Sequence, residues 1–134
     1  LAIHAGIRPD IFIPDTKKYE DKELLQIFND PEAPVFVYES DGEVLGYAFC
    51  QIQRCPHPTN MKDILTLYID DLCVDGKARG KHVGKALYEY VLQYAKERGC
   101  YNVTLNVWEG NDGARKFYEK VGFGIQKTTM EKIL

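Results

Sequence analysis

The 134-residue sequence lacks the features of several protein classes. It has no apolar run near the roughly 20 residues that a membrane-spanning helix needs, and its start lacks a signal-peptide pattern. The formal net charge is only -3, which argues against a broad nucleic-acid-binding surface. We therefore predict neither a membrane nor a nucleic acid as partner.

The cysteines lack the paired Cys-x-x-Cys spacing of zinc and redox sites. Cys50, Cys55, Cys73 and Cys100 lie in or beside apolar runs, so we expect reduced core thiols and a cytoplasmic location. A metal held by Cys50, Cys55 and His57 would have no fourth ligand at suitable spacing. We predict no metal site.

Known nucleotide and hydrolase motifs are also missing from the glycine-containing stretch Arg79–Gly84 and its surroundings. Three residues separate Gly80 from Gly84, and Lys85 is followed by Ala86, so the stretch is not a P-loop. No Gly-x-Gly-x-x-Gly fingerprint and no Gly-x-Ser-x-Gly elbow is present. Nucleotide hydrolysis, nicotinamide chemistry and serine hydrolysis are all disfavoured.

The residue patterns that are present predict one compact domain with a mixed α/β sheet. The predicted elements are a helix over Glu20–Phe28, strands over Val35–Glu39 and Val44–Gln53, a loop over Cys55–Asn60, a strand over Ile64–Val74, a helix over Val83–Arg98, a strand over Tyr101–Trp108, a helix after Asn111–Asp112 and a final strand over Ile125–Lys132. The strand, helix and strand from Ile64 to Trp108 imply a parallel pair joined by a right-handed crossover.

Three local signals carry these assignments. Asp41-Gly42 is a strong hairpin turn, so its flanking strands should pair antiparallel. The two later helices each have an apolar stripe at helical spacing. The stripes are Val83, Leu87, Tyr90, Val91, Tyr94 and Ala95 in the first, and Ala114, Phe117, Tyr118 and Val121 in the second. The loop at Arg79–Gly84 joins a strand to a helix, where free backbone amides attract an anion.

Arg79-Gly80-Lys81-His82-Val83-Gly84 resembles the acyl-CoA loop of the GNAT superfamily of N-acetyltransferases, Arg/Gln-x-x-Gly-x-Gly/Ala. His82 replaces the inner glycine of that pattern. The segment Asn111 to Phe123 is similar to the family's Asn…Ala…Phe-Tyr-Glu-Lys-x-Gly-Phe ending. The resemblance implies a GNAT fold, in which a mixed, mostly antiparallel sheet with a central parallel strand pair splayed around CoA is flanked by helices.

The same resemblance implies a single acetyltransferase domain over residues 1–134 and acetyl-CoA as the donor. The chain begins at Leu1, so the family's first strand and part of its first helix are expected to be missing from this sequence. Family members often form dimers, which suggests a homodimer by analogy.

The resemblance assigns the cofactor to the loop and to neighbouring strand ends. The pyrophosphate would lie on the amides of the helix start, and the amide of Cys73 would polarise the thioester carbonyl. The implied cofactor-binding residues are Leu72, Cys73, Val74, Arg79, Gly80, Lys81, His82, Val83, Gly84, Lys85, Ala86, Asn106 and Asn111.

Catalysis is assigned to three side chains. The family places a tyrosine like Tyr118 near the CoA sulfur, and a phenol with a pKa of about 10 suits proton donation to the leaving thiolate. Leu67 to Val74 resembles a segment of diamine and polyamine acetyltransferases, which makes Asp70 and Asp71 candidates for deprotonating the amine and binding its charge. Strand alternation would send the two aspartates to opposite faces, whereas a bulge would break that alternation.

These residues predict direct transfer of an acetyl group to a primary amine in a ternary complex. A small amine or polyamine is one acceptor hypothesis, and an aminoglycoside or a protein N-terminus or lysine is another. A non-catalytic acyl-CoA-binding regulatory module is the alternative from a different class. Such a module would keep the Arg79–Gly84 loop without needing Tyr118 or the aspartates.

Overall fold

The computed structural model describes residues 7, 8, 10, 11, 26, 28–54, 59–78, 80 and 82–134. They fall into two compact units, one over residues 19–106 and one that combines residues 1–18 with 107–134. Most of the predicted helix Glu20–Phe28 lies outside the described residues, although Gln26 and Phe28 are helical. Residues 55–58 of the predicted loop, together with Arg79 and Lys81, also lie outside them.

The larger unit contains a four-stranded sheet with the order β1-β2-β3-β4. The strands are β1 (Val35–Ser40), β2 (Glu43–Gln53), β3 (Thr66–Val74) and β4 (Asn102–Leu105). β1 pairs antiparallel with β2, β2 pairs antiparallel with β3, and β3 pairs parallel with β4. The predicted mixed sheet with a parallel pair is confirmed.

The hairpin between β1 and β2 turns at the predicted dipeptide. Asp41 and Gly42 have φ of 53° and 79°, and Ser40 pairs with Glu43. Positive φ at both central residues is the geometry whose twist matches that of the flanking strands.

Helix α1 (Val83–Glu97) packs on one face of the sheet. Its fully buried residues meet the inward side chains of β2 and β3. The core comprises Ala48, Cys50, Ile52, Leu67, Ile69, Val91 and Ala95. The apolar stripe predicted most of this face, but Tyr90 is 63% exposed whereas Tyr88 is buried. Tyr90 lies at the rim and still packs its ring edge on Phe36 at 5.4 Å.

Helix α2 (Asp112–Lys120) belongs to the other unit. Its N-cap is Asn111, whose side-chain oxygen accepts a hydrogen bond from the Ala114 amide at 3.4 Å. The ring of Tyr118 contacts Phe117 and Phe123, with centroids 5.1 and 5.5 Å apart. The predicted cap is confirmed.

One predicted strand is shorter than expected, and another is absent. The strand expected over Tyr101–Trp108 spans only Asn102–Leu105, because its pairing with β3, the one pairing that it makes among the described residues, ends at Leu105. Residues 125–132 form no strand, and Ile125 and Met130 are 72% and 88% exposed. Alternating residues make a strand only where a partner supplies hydrogen bonds.

The cysteines differ in burial. Cys50 is buried, Cys100 is half-buried and Cys73 is exposed, and all three are free thiols. The prediction that Cys73 is a core thiol is therefore wrong. No helix in the described part of the chain has the length and apolar character needed to cross a bilayer.

Candidate active site

The parallel pair opens at the middle of β3. β3 and β4 pair from Thr66 with Asn102 to Ile69 with Leu105, and β3 then continues to Val74 with β2 alone. Among the described residues, no strand pairs with the β4 side of β3 beyond Ile69. Backbone groups along this edge are therefore positioned to accept an extended ligand as a neighbouring strand would be accepted.

A β-bulge lies at the point where the pair opens. Cys50 pairs with Ile69 and Phe49 pairs with Asp71, so Asp70 is the additional residue on β3. A bulge bends its strand and increases the local twist, which explains why β4 separates from β3 here. The predicted break in strand alternation is present at the aspartate pair.

Because of the bulge, Asp70 and Asp71 have different neighbours. Leu67 and Ile69 point into the core beneath α1, so Tyr68 lies on the opposite face. Three residues later, Asp71 shares that face, because it pairs with Phe49, which alternates with the buried Ala48 and Cys50. Asp70 instead lies close enough to the Cys50 thiol for its charge to affect that group.

Burial, with a smaller contribution from the charge of Asp70, raises the pKa of the Cys50 thiol to about 12. The thiol therefore stays protonated at neutral pH and acts as a small apolar core group.

Tyr47 joins Asp71 on the sheet face opposite α1. It pairs with Cys73 across the β2–β3 ladder, and its ring lies 5.3 Å from that of Phe49. Phe49 in turn contacts Phe28 edge-on at 6.2 Å. Burial, followed by the charge of the Asp71 carboxylate, raises the pKa of the Tyr47 hydroxyl above its usual range. The register therefore places two aromatic residues beside the Asp71 carboxylate, Phe49 directly opposite and Tyr47 on the diagonal.

The start of α1 has the geometry of an anion site. His82, the N-cap, is left-handed with φ 59° and ψ 25°, and its side chain makes no cap hydrogen bond. The first helical bond runs from Ala86 to the His82 carbonyl, which leaves the amides of Val83, Gly84 and Lys85 without helical acceptors.

The charges around this helix start favour an anion. The first turn contains no acidic residue, and Lys85 occupies a position where the helix dipole would prefer a negative group. An open depression of about 280 Å³ lies here, lined by His82, Lys85, Ala86 and Glu89. Gly80, in the loop before it, has φ 85°. A bound anion would satisfy the uncapped amides and offset the lysine charge.

The remaining predicted residues lie in different surroundings. Leu72 and Val74 pack toward α1, whereas Cys73 is exposed on the open stretch of β3. Asn106 follows β4 and donates from its amide nitrogen to the Tyr68 hydroxyl at 3.1 Å. Asn111 caps α2. The helix start, the open strand and Asp71 all lie in the larger unit, whereas Asn111 and Tyr118 belong to the smaller unit.

Sequence reasoning missed Tyr47 as a candidate site residue. It lies in a strand whose alternation is plain, with Ala48 and Cys50 on the buried face. Its partners, however, depend on the register with β3 and on the bulge, which no local pattern in β2 encodes. A polar aromatic on the outer face of a central strand was the only available signal.

Comparison with known proteins gives consistent results. The model of the acetyltransferase (GNAT) family matches residues 3–123. An uncharacterized N-acetyltransferase of Methanocaldococcus jannaschii is 35% identical over 88 residues, which are 66% of this chain and 38% of that protein. Glucosamine 6-phosphate N-acetyltransferase of Arabidopsis thaliana is 37% identical over 65 residues, which are 48% of this chain and 42% of that protein.

The fold has a near match among solved structures. The tetramutant of the BH1408 protein from Bacillus halodurans superposes with a TM-score of 0.90 at 29% identity, covering 98% of this chain and 85% of that one. This chain spans less than half the length of the two relatives described above. The family match nevertheless covers both the α1 loop and the α2 segment, and the chain belongs to the acetyltransferase (GNAT) family.

Proposed function

We propose that this chain binds acetyl-CoA and transfers its acetyl group to a primary amine. The observation that carries the proposal is the uncapped start of α1, with Lys85 in its first turn, in the same unit as the open stretch of β3. The helix start would hold the pyrophosphate, with Arg79 and Lys81 adding charge, and the edge from Leu72 to Val74 would pair with the pantetheine arm. Family membership supports this donor.

Each step of the proposed transfer is assigned to a residue of this chain. Asp71, alone or with Asp70, takes the proton that the ammonium must lose before nitrogen can attack. The Cys73 amide donates to the carbonyl oxygen as the tetrahedral intermediate forms. When the carbon–sulfur bond breaks, Tyr118 protonates the thiolate, and the second proton that the acylated nitrogen loses in becoming an amide restores the Tyr118 hydroxyl through solvent. The Cys73 thiol carries no acyl group in this scheme, because the amine attacks the thioester directly.

For the acceptor we propose a small cationic amine, of which a diamine or polyamine is one form. The aromatic rings around Asp71 support this choice, since a carboxylate flanked by aromatic faces suits an ammonium. The Arabidopsis relative is named for an amino sugar phosphate. An aminoglycoside and a protein N-terminus or lysine are the other acceptors to test. We further propose a single acetyltransferase domain and a homodimer.

The test is release of free CoA thiol from acetyl-CoA in the presence of an amine panel. The panel contains a polyamine, glucosamine 6-phosphate, an aminoglycoside and a lysine peptide. Because Cys73 is itself an exposed thiol, reactions without amine set the background. We expect amine-dependent release with at least one acceptor. Binding of CoA without release for every amine would instead support the regulatory module.

The cofactor position is tested by Gly84→Leu. Gly84 is the second residue of α1, where a leucine side chain would obstruct a phosphate at the helix start. Gly113 occupies the equivalent position in α2, and a Cβ there meets nothing within 4 Å, so Gly113→Leu is the matched control. We expect CoA to raise the melting temperature of the control but not of Gly84→Leu. An equal shift in both variants contradicts this placement.

A further inference from the structure

We propose that Tyr47 is a positioning residue for the acceptor, because its hydroxyl holds the Asp71 carboxylate in place on the aromatic face of the sheet. This inference rests on the proposed function, in which Asp71 acts on the amine. It adds a residue to the site that neither the loop motif nor the α2 segment contains.

The strand register places Tyr47 and Asp71 within reach of each other. Tyr47 lies opposite Cys73, and the next residue on the same face of β3 is Asp71, its diagonal neighbour. Diagonal neighbours in an antiparallel pair lie within reach of an aromatic side chain. The bulge at Asp70 is what brings Asp71 to this face, because unbroken alternation from Ile69 would have placed Asp71 beneath α1.

Hydrogen-bond chemistry gives the contact a direction. The Tyr47 hydroxyl has one proton and two polar neighbours on its face of the sheet, the Cys73 thiol directly opposite and the Asp71 carboxylate on the diagonal. An ionised carboxylate only accepts, so the hydroxyl donates to Asp71 and is left to accept from the thiol. The carboxylate is thereby fixed by one oxygen, while its other lone pairs are available to an amine.

The surrounding rings limit the movement of this pair. The ring of Tyr47 packs against Phe49, which is itself held by Phe28. Because the ring of Tyr47 is already held by its neighbours, its side chain loses little conformational entropy when the amine binds. Replacing it with phenylalanine keeps the packing and removes only the donor.

A double-mutant cycle tests the proposal. We expect Tyr47→Phe to lower kcat/KM for the amine about tenfold or more, the range for a hydrogen bond to a charged group, while KM for acetyl-CoA stays unchanged. In an Asp71→Ala background the same change should cost less than about twofold, because alanine has no side-chain acceptor for the hydroxyl. Tyr90→Phe, on the exposed rim of α1, is the matched control and should behave as wild type.

A second readout does not depend on turnover. The titration of Tyr47, followed by ¹³C-tyrosine NMR and identified by loss of its signal in Tyr47→Phe, should move to lower pH in Asp71→Asn. An unchanged midpoint overturns the proposal, as does an equal kinetic cost in both backgrounds. If wild type is active and Tyr47→Phe matches it, only this inference fails. If wild type acetylates no amine, the proposed function fails and this inference with it.

Discussion

Single residues set the close contacts of this molecule, and Gly46 shows how tight they are. A Cβ built on Gly46 would lie 2.9 Å from the Cys73 carbonyl oxygen, 2.9 Å from Leu87 Cδ1 and 3.0 Å from Val83 Cγ1. One of these neighbours is backbone in the paired strand, so it cannot move without disturbing the ladder. Glycine here allows the start of α1 to approach the sheet.

We predict that Gly46→Ala lowers the free energy of unfolding by about 1–3 kcal/mol, the usual cost of overpacking. The measurement is urea unfolding at neutral pH. Gly113→Ala is the control, because its Cβ meets nothing within 4 Å in a helix, where alanine is favoured by roughly 0.5–1 kcal/mol. Equal stability of Gly46→Ala and wild type would show that α1 can shift away from the sheet.

We propose that the Tyr118 hydroxyl donates a proton to the leaving thiolate, and the fall in kcat when the hydroxyl is removed measures that role. We predict that Tyr118→Phe lowers kcat by about 100-fold or more, as loss of a general acid does, while the protein stays folded because the ring contacts with Phe117 and Phe123 are kept. Tyr101→Phe, at a position 76% exposed, controls for loss of a hydroxyl. A rate within about threefold of wild type, a barrier change under ~1 kcal/mol, rejects the assignment.

At the scale of elements, the two helices begin in opposite ways. α2 has a capping asparagine and an acidic first turn, as its dipole prefers. α1 has a left-handed histidine without a cap bond and no acidic residue in its first turn. The helix that departs from the stabilising pattern is the one proposed to bind phosphate, where a ligand would replace the missing cap.

We predict that Asn111→Ala destabilises the protein by about 0.5–2 kcal/mol, because the Ala114 amide loses its acceptor. Asn111→Ser, which can cap the helix, should restore most of this loss. Thermal unfolding of the free protein measures the cap, and CoA titration of Asn111→Ser separately measures the predicted cofactor contact. If Asn111→Ala unfolds at the same temperature as wild type, the cap contributes nothing measurable.

At the scale of the whole molecule, we expect the free energy of unfolding to depend on pH, because several thiol and phenol groups are buried in their neutral form. Burial is the first cause of the raised pKa of Cys50, Tyr88 and Cys100. A group whose pKa is higher in the folded state contributes stability that is complete below its unfolded pKa and is lost as pH rises toward its folded value. For Cys50 that window runs from 9.0 to about 12.

We therefore predict that the free energy of unfolding is flat just below pH 9 and falls above it, by up to roughly 1.4 kcal/mol per pH unit for each such group. Urea unfolding at several pH values measures the slope. Cys50→Ala should be less stable at every pH, since it leaves a small cavity, yet its slope above pH 9 should be shallower. An identical slope in both proteins would mean that the thiol does not carry this dependence.

The sequence alone determined the elements whose signals are local. Helix α1 follows its prediction to within one residue because a long apolar stripe and a terminal glycine are contiguous along the chain. The hairpin follows from Asp41-Gly42, and the helix cap follows from Asn111, for the same reason. The two family-like segments also lie within short stretches, so the sequence alone indicates the family.

Tertiary structure decided what depends on a partner distant in sequence. Strand β4 ends at Leu105, and residues 125–132 form no strand, because hydrogen-bonded pairing rather than alternation makes a strand. The register between β2 and β3 exposed Cys73 and placed the bulge at Asp70. That additional residue moved Asp71 to the face of Tyr47, since side chains alternate and one inserted residue reverses the order. The residue types indicate the chemistry. The pairing of β2 with β3 decides that Asp71, and not Asp70, lies beside Phe49 and Tyr47.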